Sequence, residues 1–257
     1  MQDSEKQPQA ALPFTSGPYG IVMLVLFVFF GAEQIGTLFL VQVYPRIRGF
    51  NTAATKHWLN SFSVEFWLIA ICYPMVLLSL WWWFLRGKRD VQRLLGLVKP
   101  KLSNLGWIII GLVLFYVVTG VAVALLEQFV PSLKANSQLT QQLNISSIHG
   151  PLEIVSAVVG LAILDPITEE LVFRGFIFTS LKQRMPVVVA ALTCSVIFAV
   201  PHILENSTSL LYVLGISIFC LSLILCMVRQ KTGNIYAGMV IHSVVNATSI
   251  VALLHTH

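Results

Sequence analysis

Two adjacent carboxylates, an arginine, two imidazoles and a carboxamide stand inside otherwise apolar runs in the second half of this 257-residue sequence. They are Glu169, Glu170 and Arg174, then His202, then His242 and Asn246, with Asp165 just ahead of the first group. A carboxylate beside an imidazole can take a proton from water. His242 and Asn246, four residues apart on one helix face, can together donate hydrogen bonds to a developing oxyanion. Glu170 and Arg174 share that spacing and predict an ion pair, whereas Glu169 is turned by roughly 100° towards another neighbour. These parts suit peptide-bond hydrolysis within a membrane. A second chemistry is open to the same donors: Glu169, His202 and His242 could hold zinc with a fourth position free for water. Against it stand the lack of an H-E-x-x-H helix and the poor zinc affinity of Asn; against a serine hydrolase stands the lack of G-x-S-x-G. The bland alternatives are a structural salt bridge for Glu170 and Arg174, an interfacial residue for His202, and interhelical glue for His242 and Asn246.

The elements that must position these groups are membrane helices. The composition is 56% hydrophobic and 11% charged, with a mean hydropathy of +0.82, against about 25% charged residues in soluble domains. That excludes a soluble enzyme, a disordered chain and a secreted disulfide scaffold. Although 16 Lys and Arg exceed 11 Asp and Glu, the basic residues fall in short clusters between apolar runs, which argues against nucleic acid as a partner. Apolar runs cover 19–41, 62–85, 105–130, 151–181, 186–200, 207–228 and 234–255. A span needs about 20 such residues, and backbone groups in lipid must be satisfied internally. The expected fold is an all-α integral membrane bundle of seven to eight transmembrane helices. At ~1.5 Å per residue the 151–181 run would extend roughly 46 Å, against about 30 Å of hydrocarbon. Its Asp165-Pro166 pair reads as the N-cap and first position of a new helix, so two helical pieces are expected.

Residues 1–18 form a polar tail without a signal-peptide pattern, and the first apolar run serves as an anchor. The four cysteines, Cys72, Cys194, Cys220 and Cys226, lie in apolar runs and read as small buried hydrophobes. Lys and Arg concentrate in the 86–104 loop, at Arg86, Lys88, Arg89, Arg93, Lys99 and Lys101, with Lys182, Arg184, Arg229 and Lys231 on the same side if 151–181 crosses once. That asymmetry predicts a cytoplasmic N-terminus. Trp81, Trp82 and Trp83 mark an interfacial helix end. The polar loop 131–150 divides the chain into anchoring helices at 19–148 and a chemically active core at 149–255. Asn-x-Ser/Thr sequons stand at Asn144, Asn206 and Asn246.

The core resembles the CAAX protease and bacteriocin-processing (CPBP, or Abi) family, whose eukaryotic relatives are the type II CAAX prenyl proteases. The family's motifs are E-E-x-x-x-R, F-x-x-x-H and H-x-x-x-N. They appear in order as Glu169-Glu170-Leu-Val-Phe-Arg174, Phe198-Ala-Val-Pro-His202 and His242-Ser-Val-Val-Asn246, and the approach from Arg229 to the last motif is also family-like. The resemblance covers roughly 150–250. It implies an intramembrane endopeptidase in which Glu169 is the general base assisted by His202, His242 and Asn246 stabilise the oxyanion, and Glu170 and Arg174 support the site. Members have also been labelled metalloproteases; the metal-free glutamate mechanism is preferred here, with no cofactor required, while a divalent metal such as zinc is the alternative. Implied partners are membrane lipid and a peptide or protein substrate, such as a bacteriocin, a pheromone precursor or a prenylated C-terminus. The implied location is a bacterial cell membrane. Rival readings are a non-catalytic immunity or scaffold protein on the same fold, and a proton-coupled transporter. Glu33, Glu65 and Glu127 support the transporter, and the lack of an internal repeat opposes it.

Overall fold

The computed structural model of the chain describes residues 17–129, 150–204 and 210–254. The polar tail up to residue 16, the loop at 131–149, the boundary at 148/149 and the sequons at Asn144 and Asn206 lie outside the described residues. Among them every regular element is a helix, and there is no strand. We number the helices α1 (Gly17–Ile47), α2 (Thr52–Leu59), α3 (Phe62–Leu85), α4 (Arg89–Leu94), α5 (Asn104–Phe129), α6 (Pro151–Leu181), α7 (Val187–Leu204), α8 (Leu210–Thr232) and α9 (Tyr236–Leu254). Four of them, α1, α3, α5 and α6, and the 214–232 part of α8 are long and apolar enough to cross a membrane; α7 and α9 are shorter apolar helices. This is the all-α membrane bundle that the apolar runs predict.

Local chemistry sets several boundaries. Asn51 caps α2 by accepting from the Ala54 N–H at 2.8 Å, and Asn234 caps α9 by accepting from Ala237 at 3.2 Å. Gly233, at φ +71°, ends α8 in the left-handed conformation that a side chain resists. Trp81, Trp82 and Trp83 close α3 half-exposed, with the Arg86 guanidinium 4.3 Å from the Trp82 ring centre, as interfacial residues do.

Helix α6 is the axle. From Thr168 to Leu181 every residue is buried. Aromatic edges lock its neighbours to it: Phe29 of α1 meets Phe173 at 5.8 Å, Phe84 of α3 meets Phe176 at 5.2 Å, and Phe198 of α7 meets Phe173 at 4.8 Å. A second apolar cluster joins α5, α8 and α9 through Phe115, Leu221, Leu225, Val228, Ile241 and Val245. The outward faces carry large apolar side chains such as Phe27, Ile109, Val117 and Val188, a surface that suits lipid rather than water. Cys72, Cys194 and Cys226 are buried and Cys220 half-buried, all as free thiols.

One expectation is corrected. Asp165 is not an N-cap, and 151–181 does not break into two pieces. Asp165 has helical dihedrals, φ −60° and ψ −58°, and its N–H reaches back five residues to the Gly160 carbonyl. This wide turn makes room for the Pro166 ring, which a regular turn would drive into a preceding carbonyl. A second wide turn spans Glu170–Ile177.

Continuity of α6 puts basic loops at one end. Arg229 Nη2 donates to the Leu94 carbonyl at 2.9 Å, the Ile235 N–H donates to the Gly96 carbonyl at 3.1 Å, and Lys182 Nζ donates to Gln230 at 3.1 Å. The Arg229 guanidinium lies over Gly96, which has φ +83°, and a Cβ there would sit 2.6 Å from Arg229 Cζ. Gly96→Ala is therefore expected to lower stability by about 1–3 kcal/mol, read as a drop in the thermal unfolding midpoint in detergent micelles; an unchanged midpoint would remove this contact from the fold's supports.

Candidate active site

The site is built on the buried surface of α6. Glu170 and Arg174, one turn apart, form the ion pair that their spacing predicts: Arg174 Nη1 lies 2.9 Å from Glu170 Oε1, with both side chains fully buried. The guanidinium also stacks against the Phe198 ring of α7, 4.5 Å from its centre. A Cβ at Gly238 of α9 would stand 2.7 Å from Glu170 Oε2, so a glycine is what lets α9 approach this carboxylate.

His242 is the point where α9 meets α6. Its Nδ1 lies 3.2 Å from Glu170 Oε1 and its Nε2 lies 3.6 Å from Glu169 Oε2. The imidazole thus spans the two neighbouring carboxylates, and the different neighbour expected for Glu169 is the far nitrogen of the same ring. His202, half-buried on α7, turns Nδ1 to the Phe198 carbonyl at 2.9 Å. A carbonyl only accepts, so Nδ1 carries a proton. The Phe198 ring lies 5.2 Å from the His202 ring and 6.0 Å from the His242 ring, in contact with both imidazoles. Asn246, one turn beyond His242, donates from Nδ2 to the Leu161 carbonyl at 2.8 Å; its bonded partner is backbone.

Residues outside the motifs also reach the site. Asp165 lies one turn before Glu169 on α6, within electrostatic range of both His202 and His242, and Tyr73 of α3 turns its hydroxyl to it. Glu33 of α1 interacts at longer range with Tyr73 and Glu169. Glu33 was visible in the sequence only as an acid in an apolar run. Tyr73 carried no signal beyond being a polar-tipped residue within a span.

With each Nδ1 engaged, by Glu170 or by backbone, the donors left for a metal are the Nε2 atoms of His202 and His242 and the Glu169 carboxylate. Among the described residues no group of three or more His, Cys, Asp or Glu side chains is gathered closely enough to hold an ion. Glu169, His202 and His242 as arranged do not fit a zinc centre.

A family model described as Type II CAAX prenyl endopeptidase Rce1-like matches residues 151–248. The UPF0177 protein YxdF of Lactococcus lactis subsp. lactis (strain IL1403) is 32% identical over 169 residues, which cover 63% of this chain and 88% of that protein. No solved structure matches the chain.

The buried pair generates a stability prediction. Arg174→Gln leaves the buried Glu170 carboxylate without its arginine counter-charge, expected to cost about 3–5 kcal/mol. The double variant with Glu170→Gln removes both charges and is expected to be more stable than Arg174→Gln alone. Denaturant unfolding in mild detergent measures both, and a double variant no more stable than the single one would show that charge is not what the pair supplies.

Proposed function

We propose an activity from one premise: the chain belongs to the CAAX protease and bacteriocin-processing family, the type II CAAX prenyl endopeptidase-like group of multi-pass membrane proteins. The activity is that of an intramembrane endopeptidase. The observation that carries it is the placement of His242 between Glu169 and Glu170, at 3.6 and 3.2 Å.

Glu170 is neutralised by Arg174 and accepts from His242 Nδ1, so its task is to hold the ring. Glu169 has no such cation of its own and is the general base: it takes a proton from the attacking water and passes it to the leaving amine. His202 assists by helping to hold that water. As charge develops on the oxygen of the scissile carbonyl, the second amide hydrogen of Asn246 donates to it; His242 Nε2 adds a second donor in the imidazolium form, since the Nδ1–H is already given to Glu170. No step requires a metal.

The proposed substrate is a peptide or protein whose scissile bond enters the bundle from the membrane interface. A prenylated C-terminus would require a prenylated partner protein. Bacteriocin self-immunity or peptide processing is the proposed role, resting on family membership, and a relative from Lactococcus supports a bacterial cell membrane as its setting. The basic end formed by the 86–104 loop, Lys182 and Arg229 supports a cytoplasmic placement of that end, and with it of the N-terminus.

Purified protein incubated with candidate peptides tests the mechanism. Glu169→Gln is expected to lower kcat by about 10²–10⁴-fold, and wild-type turnover is expected to survive 1,10-phenanthroline. Undiminished activity in Glu169→Gln would sink the glutamate mechanism, and loss of turnover to the chelator, restored by zinc, would replace it with the metal one. If Glu169→Ala and His202→Ala still confer immunity in cells, the scaffold reading takes its place.

A further inference from the structure

We propose that Pro166 is a positioning residue for Asn246, acting through a backbone carbonyl that it leaves without a helical partner. In a regular helix the Leu161 carbonyl accepts from the N–H of residue 165. Here the Asp165 N–H is drawn back to Gly160 by the wide turn. The next N–H in that widened register would come from residue 166, which is proline and has none. Leu161 is 7% exposed, so its carbonyl has no recourse to solvent, and an unmet carbonyl within a membrane bundle is costly. Asn246 Nδ2 meets it, donating at 2.8 Å from the facing helix α9.

That bond has a consequence for the site. An amide has two hydrogens; with one committed to Leu161, the plane of the Asn246 carboxamide is set, and so is the direction of the other hydrogen. It also fixes the register of α9 against α6 one turn from His242, which places the His242 ring at Glu169 and Glu170. Gly160, Leu161 and Pro166 thus form the seat on which a motif residue rests, although none of them carries a reactive group.

The kinetic arm of the test rests on the endopeptidase reading, and a spectroscopic arm does not. Leu161-Ala162 is the one Leu-Ala step in the sequence, so labelling the full chain with carbonyl-13C leucine and 15N alanine isolates the Leu161 carbonyl in a carbonyl-to-amide correlation spectrum. Asn246→Ala is expected to move that carbonyl resonance upfield as its hydrogen bond is lost. Adding Pro166→Ala, which supplies an N–H, is expected to move it back. An unmoved resonance in Asn246→Ala overturns the proposal, as does a double variant that stays upfield. In turnover, Pro166→Ala is expected to lower kcat roughly tenfold with KM unchanged, and to cause no further loss in an Asn246→Ala background. Full kcat in Pro166→Ala, or losses that multiply in the double variant, overturns it. If the wild type cleaves no peptide, the endopeptidase reading fails and the resonance still decides whether Pro166 seats Asn246.

Discussion

A fully buried guanidinium is the constraint around which the rest is arranged. Arg174 cannot lose its proton, and a charge sunk in a membrane bundle is tolerated only with close compensation. Compensation arrives from three elements. Glu170 supplies the counter-charge one turn away on α6, Phe198 of α7 offers its ring face at 4.5 Å, and His242 of α9 shares Glu170 Oε1 from the other side. Each demand pulls a helix inward. Gly238 is the concession on α9, because any side chain there would collide with Glu170. The convergence of α6, α7 and α9, which brings residues of all three motifs together, follows from keeping one arginine satisfied.

The same economy explains why α6 remains a single helix. Two wide turns, at 160–164 and 170–177, let it carry a proline and a charged pair without breaking. Such turns cluster at functional sites because they rotate the following residues and release backbone groups for other partners. Here the released group is a carbonyl, and a side chain of α9 takes it up. The irregularity and the functional side chains are one arrangement.

Much of this was legible in the residues, and the division is physical. Pairing of Glu170 with Arg174 and the divergence of Glu169 follow from helical periodicity, which is local and survives any tertiary context. The all-α membrane class follows from hydropathy, which the membrane enforces segment by segment; the expected seven to eight crossings compare with five helices long and apolar enough to span and two shorter apolar ones among the described residues. The Asp165-Pro166 step misled because helix starts and proline-bearing wide turns share the same two residues; only packing against α3 and α9 decides between them. Tyr73 and Glu33 stayed hidden because their relation to the site is long-range, through helices whose own sequences read as lipid anchors. Asn246 was legible as a polar residue on the right face, but its partner is a peptide carbonyl, and every residue has one.

In the proposed mechanism, adjacent glutamates divide two tasks that a single carboxylate could not combine. A group that neutralises Arg174 is held by charge and hydrogen bond, and a carboxylate so held is a weak acceptor of a further proton. A group free enough to accept a proton from water offers little to anchor an imidazole. Placing the two side by side on α6 turns them by about 100°, so one points at the arginine while the other faces the far nitrogen of the ring that the first holds. The histidine then joins structure to chemistry: Nδ1 is fixed by the charged scaffold, and Nε2 is presented to the carboxylate that the scaffold has left uncommitted. In this E-E pair both carboxylates reach one imidazole from a single helix turn.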